Sequence, residues 1–112
     1  MVIAPLATAS MSLPLAAPDS VSCASLLKAL ADETRLAVVR QLLGGPKHVG
    51  ELNEQLGIEQ SLLSHHLKVL REMGIVQARR DGKAVLYRLA PHMESAAKGK
   101  AIDLGCCRIA FE

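Results

Sequence analysis

The sequence predicts one mainly α domain that closes with a single β-hairpin, and three observations carry that prediction. Half of the 112 residues are hydrophobic, yet they include one Phe, one Tyr and no Trp, so the core is aliphatic and rich in Leu and Ala, which favour helices. Apolar positions recur at helical spacing, with stops at Gly44-Gly45-Pro46, Gly57 and Gly74. After Gly74 the period changes from helical to alternating, around the turn pair Asp81-Gly82.

Taken in order, residues 1–19 are small and apolar but broken by Pro5, Pro14 and Pro18. They lack a basic leader, so they read as a flexible tail rather than a secretory signal. The folded domain then runs over residues 20–110. Asp19 or Ser20 suits the cap of a first helix from about Val21 to Ala31, with Leu26, Leu27 and Leu30 apolar and Cys23 in its first turn. Asp32 caps a second helix through Leu43, which packs by Leu36, Val39 and Leu43.

Val49 to Leu56 makes a short third helix, and a three-residue turn from Gly57 leads into a fourth, Glu59 to Met73. Two short helices across a tight Gly turn form a helix-turn-helix, in which the second helix is the reader of DNA. A turn of about 100° per residue places Leu63, His66, Leu67 and Leu70 on one side of that helix. Gln60 opens it, and Ser61, Ser64, His65 and Lys68 face the other way, with Glu72 acidic near the far end. Short hydroxyls, an imidazole and an ammonium can approach base edges in a major groove. A solvated amphipathic face would look the same in isolation, so the neighbouring elements decide.

Arg79, Arg80 and Lys83 bracket the hairpin tip and suit phosphate or minor-groove contact. Helix-turn-helix plus basic hairpin is a winged helix-turn-helix, and double-stranded operator DNA is the expected partner. Pro91 opens a last helix to about Leu104. On it Met93, Ala97, Lys100, Leu104 and Cys107 fall at spacings of four and three, as on a coiled-coil seam. The first and last helices flank the winged core, so a homodimer through them is predicted, as two half-sites of a palindrome require.

The run Leu30-Ala31-Asp32-Glu33-Thr34-Arg35-Leu36, then Val49-Gly50-Glu51-Leu52, Ser61 to Leu70, Gly74-Ile75-Val76, Gly82-Lys83 and Tyr87-Arg88-Leu89 resembles the ArsR/SmtB family of bacterial repressors. The resemblance covers about residues 22 to 105. It implies a homodimeric winged-helix repressor released from its operator when a metal ion, a metalloid or a thiol oxidant binds. It implies DNA contacts at Ser61, Ser64 and His65 and, in the wing, at Arg79, Arg80 and Lys83. His66 matches the family's Ser-x-His-Leu pattern but turns inward, as a structural hydrogen bonder. The family's Cys-Val-Cys-Asp-like inducer run is missing, because Lys47-His48-Val49-Gly50-Glu51-Leu52 holds no cysteine. The zinc site that other members carry on the last helix is not matched by the spacing of His92, Glu94 and Asp103.

Three cysteines is an odd number without a CxxC pair, which predicts free thiols in a reducing cytoplasm. Cys23, Cys106 and Cys107 all fall in the two helices expected at the dimer interface. Three thiolates suit arsenite, As(III), or Cd(II) or Pb(II). The alternative is a redox or reactive-sulfur sensor that bridges Cys23 with Cys106 or Cys107. Small buried cysteines packing as core residues would be the plainest account. The net charge of +2 argues against a polycation that coats nucleic acid by charge alone. No run of 18 apolar residues predicts a membrane span. His65 and His66 lack a Ser, Cys or acid partner at a catalytic spacing, so no enzyme and no cofactor for DNA binding are expected.

Overall fold

Ser22, not Asp19 or Ser20, opens the first helix of the computed structural model: its hydroxyl accepts from the backbone N–H of Ser25 at 3.1 Å. The structure describes residues 21–95 and 99–111, so the tail and its two suggested caps lie outside the described residues. Helix α1 (Cys23–Leu30) buries Leu26, Ala29 and Leu30, while Leu27 stays exposed. Asp32 then caps α2 (Glu33–Leu43) by accepting from the Arg35 N–H at 3.0 Å, as expected of Asp in an extended N-cap conformation.

Helix α3 (Val49–Leu56) ends at Gly57, which adopts left-handed φ/ψ of 62° and 34° and donates to the Asn53 carbonyl. Only Gly takes that conformation without cost. The Asn53 side chain bonds the Ile58 carbonyl, fixing the turn into α4 (Gln60–Glu72). Leu63, Leu67 and Leu70 of α4 are fully or almost fully buried against Val38, Val39 and Leu52.

The wing is β2 (Val76–Asp81) paired antiparallel with β3 (Ala84–Leu89), Gln77 facing Arg88 and Asp81 facing Ala84. The two-residue turn is therefore Gly82-Lys83, one residue later than Asp81-Gly82. Gly stands at the first turn position with φ of 67°, where a tight hairpin turn can require it. A short strand, β1 (Lys47–His48), adds to the free edge of β3, giving the order β1-β3-β2.

The expected last helix does not form in the described residues. Pro91–Met93 is one 3-10 turn, and Ala101–Asp103 (β4) pairs with Arg108–Ala110 (β5) as a second hairpin. Gly99 and Gly105 have φ of 81° and 89°, which interrupts a helix, and Ile102 faces Ile109 across a two-stranded ladder. Ala101, Ile102 and Leu104 are all buried, so β4 and the residue after it dock the hairpin on the core. The helical seam through Met93, Lys100, Leu104 and Cys107 is thus corrected, with Ala97 outside the described residues. A dimer through the first and last helices loses its second element with it. No described helix is long and apolar enough to cross a membrane.

Candidate functional site

The helix-turn-helix presents Gln60, Ser61, Ser64, His65 and Lys68 on the exposed side of α4, opposite its buried leucines. Leu62 is 46% exposed among them. Ser61 is partly committed, since its hydroxyl donates to the Glu59 carboxylate. Glu59 also accepts from the Leu62 N–H at 3.1 Å, and these bonds, the Ser61 hydroxyl first, hold its carboxyl below the usual carboxylate range. Ser64, His65 and Lys68 make no such bond to the cap. His66 is 7% exposed and sets its Nδ1 3.1 Å from an Arg35 guanidinium nitrogen, a structural hydrogen bonder as its inward angle predicts.

Strand alternation separates the wing arginines. Arg79 shares a face with Gln77, whose amide oxygen accepts from Arg88 at 2.9 and 3.1 Å, and Arg80 shares the opposite face with buried Val76. Arg79, with Arg71, Arg88 and His92, lines an open cavity of about 750 Å³. Lys83 lies in the turn. All three wing cations are exposed.

One feature of this interface was not anticipated. His48 donates its backbone N–H to Glu51 at 2.8 Å, and its ring Nε2 stands 2.7 Å from the Asp81 carboxylate. The imidazole therefore clamps the start of α3 to the end of β2 beside the basic tip. A His-x-x-Glu run at a helix start is a legible capping signal, but Asp81 was assigned to the turn rather than the strand. Asp81 first, then Glu51, raises the His48 pKa above the ordinary imidazole value. A raised folded-state pKa contributes stability fully below the unfolded value of about 6.5 and loses it as pH climbs through the folded value. We expect His48→Gln to lower the melting temperature near pH 6 and to approach the wild type as pH rises through the raised His48 value. A pH-independent difference in melting temperature would show that the clamp is not ionic.

The three cysteines are brought together from opposite ends of the described chain. Their sulfurs all lie within 4.8 Å of one another. Cys23 sits at the first position of α1, and Cys106 and Cys107 in the β4–β5 turn that Gly105 allows. The turn closes by the Leu104 N–H to the Cys107 carbonyl at 2.8 Å, and the Gly105 N–H donates to Asp103 at 2.8 Å. Cys23 and Cys106 form a disulfide, so the expectation of three free thiols is corrected for two of them. Cys107 is a free, exposed thiol 3.9 Å from the Cys106 sulfur. Cys106 and Cys107 are exposed at the hairpin tip and Cys23 is half-buried, so the cluster can exchange with reagents in solution, which buried core cysteines cannot.

Residues 32–78 match the family model described as bacterial regulatory protein, arsR family. The HTH-type transcriptional regulator NmtR of Mycobacterium tuberculosis is 44% identical over 78 residues, 70% of this chain and 65% of that protein. The chain thus spans slightly less than two thirds of NmtR. The biofilm growth-associated repressor of Agrobacterium fabrum is 44% identical over 86 residues, 77% of this chain and 74% of that one. Among solved structures, a homodimeric winged helix-turn-helix DNA-binding domain from Mycobacterium bovis superposes with a TM-score of 0.57 at 34% identity, covering 60% of this chain and 62% of that one. The helix-turn-helix, the wing and these matches agree: the chain belongs to the ArsR family of bacterial regulatory proteins.

Proposed function

We propose that this protein is a homodimeric, cytoplasmic transcriptional repressor that binds operator DNA and lets go of it when its cysteine cluster reacts. Gln60, Ser61, Ser64, His65 and Lys68 read the major groove, and Arg79, Arg80 and Lys83 hold backbone phosphates. The metal ligands are Cys23, Cys106 and Cys107. The observation that carries the sensor is the approach of these three sulfurs within 4.8 Å, at the start of one helix and the tip of a docked hairpin. In the reduced chain the three thiols suit trivalent arsenic: arsenite takes three thiols, forms three As–S bonds and releases three waters. Cd(II) and Pb(II) are thiophilic alternatives on the same ligands.

The Cys23–Cys106 bond favours a second reading, in which an oxidant is the signal. Two thiols then give up two protons and two electrons to a peroxide, which leaves as water, and the bridge forms. Arsenite added to operator-bound, reduced, anaerobic protein is expected to weaken binding about 5- to 150-fold, the range of ordinary allosteric coupling. Cys23→Ser should bind operator normally and lose most of that response. Normal arsenite release from all three single Cys→Ser variants would sink the metalloid reading, and release by peroxide with arsenite inert would establish the redox one.

A further inference from the structure

The helix that carries Cys23 is tied at its far end to the reading helix through one side chain. Arg35, in the first turn of α2, donates from Nε to the Ala29 carbonyl in the last turn of α1, at 2.5 Å. The same guanidinium places a terminal nitrogen 3.1 Å from His66 Nδ1 on the inner side of α4. A guanidinium can only donate, so His66 Nδ1 accepts and the ring proton sits on Nε2. Asp32 completes the knot, accepting from the Arg35 N–H at 3.0 Å with its carboxylate 3.9 Å from the same His66 nitrogen. Ala29, Leu30 and His66 are buried while Arg35 and Asp32 are half-buried, so these bonds are only partly exposed to water.

We propose that Arg35 is the positioning residue that couples the cysteine cluster to the reading helix, an inference that rests on the thiol-sensor function proposed above. Helix α1 has eight residues and is about 12 Å long, a rod with Cys23 at one end and the Arg35 bond at the other. Only Ala31 and Asp32 separate it from α2, and Asp32 is already fixed as the α2 cap, so little slack absorbs a shift. A change in what Cys23 is bonded to sets the lie of α1. The Arg35 fork then either keeps both the Ala29 carbonyl and His66 or gives one up. Losing His66 frees α4 at the middle of its buried side, beneath Ser64 and His65. A ligand shifts the equilibrium only through such a difference between two arrangements. The hairpin offers another route, with Arg40 over the Phe111 ring at 5.6 Å and then apolar packing of Val38 and Val39 with the α4 leucines, and the Arg35 variants below distinguish the two.

The test measures operator affinity of the full chain, reduced and after treatment with peroxide or with arsenite, for the wild type, Arg35→Gln and Arg35→Lys. The wild type should give an affinity ratio of at least 5-fold between states. Arg35→Gln should bring that ratio close to one, and Arg35→Lys, which keeps the charge without the fork, should give an intermediate value. In parallel the His66 ring ¹⁵N shifts should change between states in the wild type and not in Arg35→Gln. If Arg35→Gln fails to fold, Arg35→Lys alone carries the comparison. A wild-type ratio above 5-fold that persists in the Arg35 variants overturns this inference and leaves the sensor standing. So does an equal loss of affinity in both states, which would mark a purely structural arginine. A wild-type ratio of one to both reagents overturns the sensor reading, and the coupling with it.

Discussion

Reducing the Cys23–Cys106 bond is expected to lower the melting temperature by about 10 °C or more. The bond joins residues 83 apart, and closing a loop of that length removes unfolded-chain entropy equivalent to about 4.5 kcal/mol. In a domain of this size each kcal/mol shifts the midpoint by about 4–8 °C. The native hairpin should stay docked on reduction, because fully buried Ile102 and the bond from the Phe111 N–H to the Lys100 carbonyl do not depend on sulfur. The stabilisation therefore acts mainly on the unfolded state. Cys23→Ser should melt at the reduced wild-type temperature and ignore reductant, while Cys107→Ser should keep the full oxidised value. A wild-type shift under 3 °C would mean that strain in the folded protein cancels the entropic gain. That outcome has a functional side, since a bond that stabilises little is also one that the cell's thiols break easily.

Elements with their own punctuation were legible in the sequence. Asp32 and Gly57 announce α2 and the turn between α3 and α4 by local chemistry, and the leucines of α4 announce its buried side by spacing. The wing was legible from its change of period. Strand β1 was not, because two residues carry no period and Lys47 and His48 pair only once β3 exists. The last helix was misread because Met93, Leu104 and Cys107 satisfy a helical spacing by coincidence. The stronger signals were Gly99 and Gly105, which take positive φ, and the alternation of Ile102 and Leu104 on one arm with Ile109 and Phe111 on the other. The meeting of the three cysteines was anticipated, but by the wrong vehicle: an antiparallel helix pair was expected, and a hairpin turn delivers Cys106 and Cys107 to Cys23. Contacts that join distant segments, such as Arg35 with His66 and His48 with Asp81, leave no trace in local periodicity at all.

The two sides of α4 should separate folding from DNA binding cleanly. Leu67 is 1% exposed and belongs to the central cluster, so Leu67→Ala removes buried methyl groups and leaves a cavity. A cost of about 2–5 kcal/mol is expected from that mechanism, a large share of the stability of a domain this small. On the opposite side of the same helix, Ser64 and His65 are exposed. Ser64→Ala and His65→Ala should move stability by less than about 0.5 kcal/mol, as surface substitutions do. Each should nevertheless weaken specific operator binding by about 1–3 kcal/mol and relax base preference at the contacted position. Arg80→Gln, at a position proposed to hold a phosphate, should weaken specific and non-specific DNA binding alike and flatten the salt dependence. Chemical denaturation and fluorescence anisotropy on the same preparations distinguish these effects. If Ser64→Ala and His65→Ala leave operator affinity and its sequence preference untouched, the exposed side of α4 is not the reading surface, and the wing must carry recognition alone.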